Sequence, residues 1–114
     1  MIALALTLLA FAAPHPARVQ VVADEYSFTL SRRTIKAGPT IVELANFGQD
    51  PHDLRMRRLA KGAPTLKIDT VPPGEQGYLR AKLAPGRFLL WCSIDDHREH
   101  GMQAILTVKP AKRR

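Results

Sequence analysis

RFLLWCSIDDHREHGMQAILTVK, residues 87 to 109, reads as a strand, a loop and a second strand. Phe88, Leu90 and Cys92 alternate with more polar or outward positions, and Met102, Ala104, Leu106 and Val108 do the same after the loop. Between these runs stand the chain's one cysteine, a histidine and a methionine, Cys92, His97 and Met102, at steps of five. Helix packing uses steps of three or four, and one face of a strand uses even steps. The spacing makes sense if Cys92 ends one strand, Met102 begins the next, and His97 lies midway along the loop between them.

The same alternation runs through the rest of the chain. Arg18 to Ala23 places Val19, Val21 and Ala23 on one side, and Tyr26 to Leu30 places Tyr26, Phe28 and Leu30 together. Ala37-Gly38-Pro39 signals a turn before Thr40 to Phe47, and Gly48-Gln49-Asp50-Pro51 breaks that run. His52, Leu54 and Met56 then alternate with Asp53, Arg55 and Arg57. Leu66 to Val71 stops at Pro72-Pro73-Gly74, and Gln76 to Leu83 turns at Pro85-Gly86 into Arg87 to Ser93. Gln103 to Lys109 is the last run. Leu59 to Thr65 reads as a loop or one short helix. Seven to eight short strands with frequent turn signals predict an all-β, antiparallel Greek-key sandwich in one domain. At 114 residues the chain has length for one domain, and it shows no repeat or coiled-coil heptad.

Residues 1 to 13, MIALALTLLAFAA, carry no charged side chain. A membrane-spanning helix needs about 20 apolar residues, so no transmembrane span is expected. The run fits the apolar region of a secretion signal, with Ala10-Phe11-Ala12 as a small-x-small cleavage pattern, although no Lys or Arg precedes it. The alternative is a buried N-terminal element. The domain proper would be residues 14 to 114, in a protein exported to the periplasm or beyond. A lone thiol there would be open to oxidation unless buried or held by a metal.

The formal net charge is +7. Arg55, Arg57, Arg58 and Lys61 form one basic cluster, and Lys109, Lys112, Arg113 and Arg114 form a basic tail. Such charge attracts anionic partners or surfaces, or is simply a solvated surface. Sparse aromatics and the lack of any reader motif speak against nucleic acid.

The phases put His52, Cys92 and Met102 on inward faces at strand ends, with His97 free to fold over the same end. Two imidazoles, a thiolate and a thioether are the donors of a type 1 copper site, a His₂Cys plane with a weak axial Met. Zinc would accept the nitrogens and the thiolate, but a thioether is a poor zinc donor.

At these residues the chain resembles the cupredoxins, the family of small blue copper proteins. C-S-I-x-x-H-R-E-x-G-M from Cys92 to Met102 is close to the family's ligand loop, and its spacing lies within the family's range. TIKAGPTIVELANFGQDPHDL from Thr34 to Leu54 matches the approach to the first histidine. The resemblance covers about Val19 to Val108. It implies that His52 and Cys92 are ligands fixed by the sandwich, that His97 is an edge ligand reached by partners, and that Met102 is the axial ligand. It further implies that Asp53 bridges to the loop after the cysteine, with Ser93 as its partner. Asp95 and Asp96 stand where Pro-Gly is common in the family. With Arg98, Glu99 and His100 they surround His97 with charge, which favours charge-guided encounter. His15 and His100 read as exposed, and Trp91, out of phase with Cys92, as packing on the outer side.

The expected function is that of a monomeric exported protein with one type 1 copper ion, passing single electrons to a redox partner, acidic if matched to the net charge, near His97. Peripheral contact with an anionic surface is compatible with the basic clusters. The alternative is copper binding and delivery without a redox circuit. An enzyme is not expected: there is no His-x-His cluster, and the donor set leaves no open position for substrate.

Overall fold

The computed structural model describes residues 3–5 and 15–112. Most of the proposed secretion signal therefore lies outside the described residues. Among the described residues the chain forms nine strands: β1 (Ala17–Asp24), β2 (Ser27–Leu30), β3 (Thr34–Lys36), β4 (Gly38–Asn46), β5 (His52–Arg58), β6 (Thr65–Val71), β7 (Gln76–Leu83), β8 (Gly86–Trp91) and β9 (Gln103–Lys109). None of these residues forms a helix long and apolar enough to cross a membrane. The strands make two sheets, ordered β2-β1-β4-β7 and β3-β9-β8-β5-β6.

The all-β sandwich is as expected, with two refinements. Strand β3, only three residues long, adds a ninth strand. The sheets are mixed: β1 pairs with β4 in parallel, and so does β3 with β9, while the other pairs are antiparallel. Alternation reports which way a side chain points, not the direction of the neighbouring strand, so these pairings left no local signal. Of the stretch from Leu59 to Thr65, residues 59–64 are a turn-rich loop rather than a helix, with Gly62 in the left-handed region at φ 75°, and Thr65 opens β6.

The inward phases hold. Val19, Val21 and Ala23 of β1 and Val42 and Leu44 of β4 face Leu54 and Met56 of β5, Phe88 and Leu90 of β8, and Leu106 and Val108 of β9 in one buried core. Each fully buried aliphatic side chain of this kind contributes about 1.5–3 kcal/mol. The sheets come close at Gly77, where a Cβ would lie 2.6 Å from Ile68 and 2.9 Å from Val71. Tyr26 departs from the expected pattern. It lies in the β1–β2 turn, ahead of the strand that carries Phe28 and Leu30, and its ring is turned to the cysteine end of the sandwich.

That end is closed by three connections. The β4–β5 loop is pinned by Asn46, which is fully buried. Its Nδ2 donates to the carbonyls of Asp50 at 2.8 Å and Val71 at 2.9 Å, and its Oδ1 accepts the N–H of Gly48 at 2.9 Å. The β1–β2 turn and the long β8–β9 loop complete the rim.

Candidate metal centre

His52 opens β5, and Cys92 follows the last residue of β8; both are fully buried. The pairing of Arg55 with Trp91 fixes the register between these strands, so both side chains arrive at the same end of the core. Nδ1 of His52 lies 4.0 Å from Cys92 Sγ, and Nδ1 of His97 lies 3.6 Å from it. The three donor atoms lie within 4.8 Å of one another, and the two imidazole rings are 5.0 Å apart at 59°.

The β8–β9 loop is held by its own main chain. His97 N donates to Ile94 O at 3.1 Å, and Met102 N donates to His97 O at 3.2 Å. Cys92 N donates to Met102 O at 3.2 Å. Met102 is fully buried and is tied in this way to both Cys92 and His97. Asp95, at φ 46°, takes the left-handed conformation that Asp tolerates better than most residues. Asp96 accepts from His100 Nε2 at 3.0 Å, a bond that holds its carboxyl below the usual range and braces the turn.

Asp53 and Ser93 are hydrogen-bonded to each other. Asp53 Oδ1 accepts the Ser93 N–H at 2.7 Å, and Oδ2 accepts the Ser93 hydroxyl. Arg55 joins them, with Nη2 3.4 Å from Asp53 Oδ2 and Nε donating to Ser93 Oγ at 3.3 Å. The other arginines of the basic cluster also have partners within the fold. Arg57 lies over the Trp91 ring at 5.8 Å, and Arg58 Nε donates to Pro85 O at 2.7 Å. Trp91 packs on the outer side and is also covered by Arg98 at 5.0 Å. His100 is exposed and stacks on Tyr26, with ring centroids 4.9 Å apart.

Three contacts at the centre were not read from the sequence. The Tyr26 ring packs against His97 at 5.0 Å. Asp50 Oδ2 lies 3.9 Å from His97 Nε2, and the His97 side chain is only 7% exposed. Glu25 Oε1 lies 3.2 Å from His52 Nε2. The sequence pattern puts Tyr26 in a strand with Phe28 and Leu30 and gives Glu25 no role, and only the pairing of β1 with β4 carries their turn to the β4–β5 loop.

The donor chemistry can be tested on these distances. An ion about 2 Å from each nitrogen and about 2.3 Å from sulfur, at trigonal angles, separates nitrogen from sulfur by roughly 3.7 Å. The two observed separations, 3.6 and 4.0 Å, bracket that value. Burial pushes the Cys92 thiol pKa up, so without an ion the sulfur keeps its proton. The buried cluster of His52, Cys92 and His97 is compatible with a single type 1 copper ion.

No protein-family model and no curated protein sequence matches the chain. Solved structures do. Dithionite-reduced auracyanin from Roseiflexus castenholzii superposes with a TM-score of 0.70 at 16% identity, over 85% of this chain and 100% of that one. The fold is that of the cupredoxins. Auracyanin B gives 0.68 at 20% identity, over 87% and 94% of the two chains. Amicyanin from Paracoccus versutus gives 0.58 at 17% identity, over 85% of each. His97 itself is buried, with the Tyr26 ring 5.0 Å from its own and Asp50 Oδ2 3.9 Å from its Nε2.

Proposed function

We propose that this protein is a one-electron carrier holding one type 1 copper ion through His52, Cys92 and His97, with Met102 as the weak axial donor. The observation that carries the reading is the convergence of one buried thiol and two buried imidazoles, through Nδ1 atoms, at one end of a cupredoxin sandwich. Bound there, copper would supply a reversible one-electron couple. The protein's part is to keep the donors in one arrangement in both oxidation states, and the bonds among Cys92, His97 and Met102, together with the Asp53–Ser93 pair, act to that end.

Burial favours carriage over delivery. Passing copper to another protein needs incoming donors to reach the ion, and His52, Cys92 and His97 are all at most 5% exposed. The same saturation with protein donors leaves no position for substrate, so catalysis is not proposed.

The partner would dock over Tyr26 and His97. Net charge favours an acidic partner, but the rim around this end carries Glu25, Asp50, Asp95, Asp96 and Glu99, while Arg98 is engaged with Trp91. Local charge governs the final encounter over about a Debye length, roughly 8–10 Å. A partner with a cationic docking face fits this rim better. The proposed setting remains outside the cytoplasm, where a buried, metal-held thiol is protected.

The test is a spectrum of the copper-loaded chain. An intense blue Cu(II) band that bleaches and returns through one-electron cycles is expected, and Cys92→Ser should abolish it. A Cys92→Ser protein that stays blue would refute the ligand set.

A further inference from the structure

Glu25 lies 27 residues before His52 and reaches it from the β1–β2 turn. Its Oε1 accepts three contacts at once: the N–H of Gln49 at 2.7 Å, the N–H of Asp50 at 2.7 Å, and His52 Nε2 at 3.2 Å. Space for the carboxylate depends on Gly48, since a Cβ there would stand 2.5 Å from Oε1. The two main-chain amides, both aimed at this one oxygen, hold the carboxylate in place against the ring.

The other nitrogen of the ring faces sulfur, with His52 Nδ1 4.0 Å from Cys92 Sγ. An imidazole that offers Nδ1 as a donor must carry its hydrogen on Nε2. That hydrogen points at a carboxylate which the main chain already holds in place. Carboxylate pairing of this kind fixes ring orientation and raises the basicity of the donor nitrogen. A more basic imidazole favours the higher-charged metal ion.

We infer that Glu25 is a positioning residue of the centre: it locks His52 in the Nε2–H form and biases a bound copper ion toward Cu(II). This rests on the copper-carrier reading above. His97 has no equivalent, since its Nε2 is 3.9 Å from the nearest carboxylate oxygen, that of Asp50. The two imidazoles are therefore unequal, one held by an anion and the other covered by Tyr26.

Glu25→Gln tests this, because it keeps a carbonyl oxygen for the Gln49 and Asp50 amides and removes only the charge. In the copper-loaded full chain it should retain the blue band and lose preference for Cu(II) over Cu(I) by about tenfold. For a one-electron couple that is a rise in reduction potential of about 59 mV. An unchanged or lowered potential would overturn the bias. In the metal-free chain, ring-nitrogen NMR should show His52 as the Nε2–H tautomer in the wild type and as a tautomer mixture in Glu25→Ala. A wild-type His52 protonated on Nδ1, or one indifferent to Glu25→Ala, would overturn the positioning role. A wild-type chain that takes up no copper ends the carrier reading, and the copper bias with it. The metal-free spectra still decide whether Glu25 sets the tautomer.

Discussion

Asp53 Oδ1 accepts the backbone N–H of Ser93 at 2.7 Å, so the residue after His52 is bound to the residue after Cys92. The two strands that carry these side chains are thus tied by a side-chain bond beyond their last ladder pair, Arg55 with Trp91. The acceptor is buried, with the Asp53 side chain 4% exposed, while Ser93 is exposed, and Arg55 balances the carboxylate's charge. Distance between His52 and Cys92 is set by the sheet and then held by this clasp.

Asp53→Ala should cost about 2 kcal/mol, since it removes the acceptor of the part-buried Ser93 N–H and the partner of the Ser93 hydroxyl and the Arg55 guanidinium at once. Asp53→Asn keeps an acceptor for the amide and should cost about 1 kcal/mol. Urea unfolding of the metal-free chain checks both: the midpoint should fall in that order with the slope unchanged. Equal midpoints for the two variants would show that the charge, not the clasp, matters.

Much of this centre was legible before any coordinates. Cys92 and Met102 fall in phase with Phe88, Leu90, Leu106 and Val108, and period-two phase survives folding because burial on one face enforces it. The Asp53–Ser93 clasp followed from the resemblance. Glu25, Tyr26 and Asp50 were not legible. Their roles depend on the parallel β1–β4 pairing, which sets Ala23 beside Asn46 and brings two connections into contact. The net charge is silent about the rim, because a sum over the chain says nothing of how carboxylates gather at one end. The basic cluster on β5 had a use the composition could not reveal, as three of its arginines are spent on Ser93, Trp91 and Pro85.

Gly48→Ala should act on the centre although it removes no functional group. The new Cβ would stand 2.5 Å from Glu25 Oε1, and that oxygen is fixed by two amides and His52. The carboxylate must move, and the bond to His52 is its longest and weakest. The copper-loaded variant should show a reduction potential shifted in the same direction as Glu25→Gln. In the double variant the two shifts should fail to add, because both remove one interaction. Additive shifts would show that the glycine acts by another route.

Tyr26→Ala should uncover His97. The ring packs on His97 at 5.0 Å and on His100 at 4.9 Å, and no other aromatic ring except His52 is in contact with His97 among the described residues. With the cover gone, water and small reagents reach the His97 edge. Electron exchange with a small inorganic oxidant should become several-fold faster, and capture of Cu(I) by a chelator should accelerate as well. Tyr26→Phe keeps the ring and should match the wild type. Stopped-flow bleaching of the blue band measures the first, and chelator absorbance the second.

The thiol gives the metal-free chain a pH dependence whose sign is set by burial. Cys92 is fully buried, and burial raises its pKa above the ordinary thiol value of about 8.5. The folded chain then holds the proton more tightly than the unfolded chain does. Its contribution to stability is complete below about pH 8.5 and is lost as pH climbs through the raised folded value. The urea midpoint of the metal-free wild type should therefore fall between pH 8 and pH 10, relative to Cys92→Ser measured alongside. Copper replaces that proton, so uptake releases it, and the thiol's share of the apparent affinity should weaken by about tenfold per unit as pH is lowered from 8 to 6. A wild-type midpoint that tracks Cys92→Ser across the alkaline range would mean that the sulfur is not buried as a thiol in the folded chain.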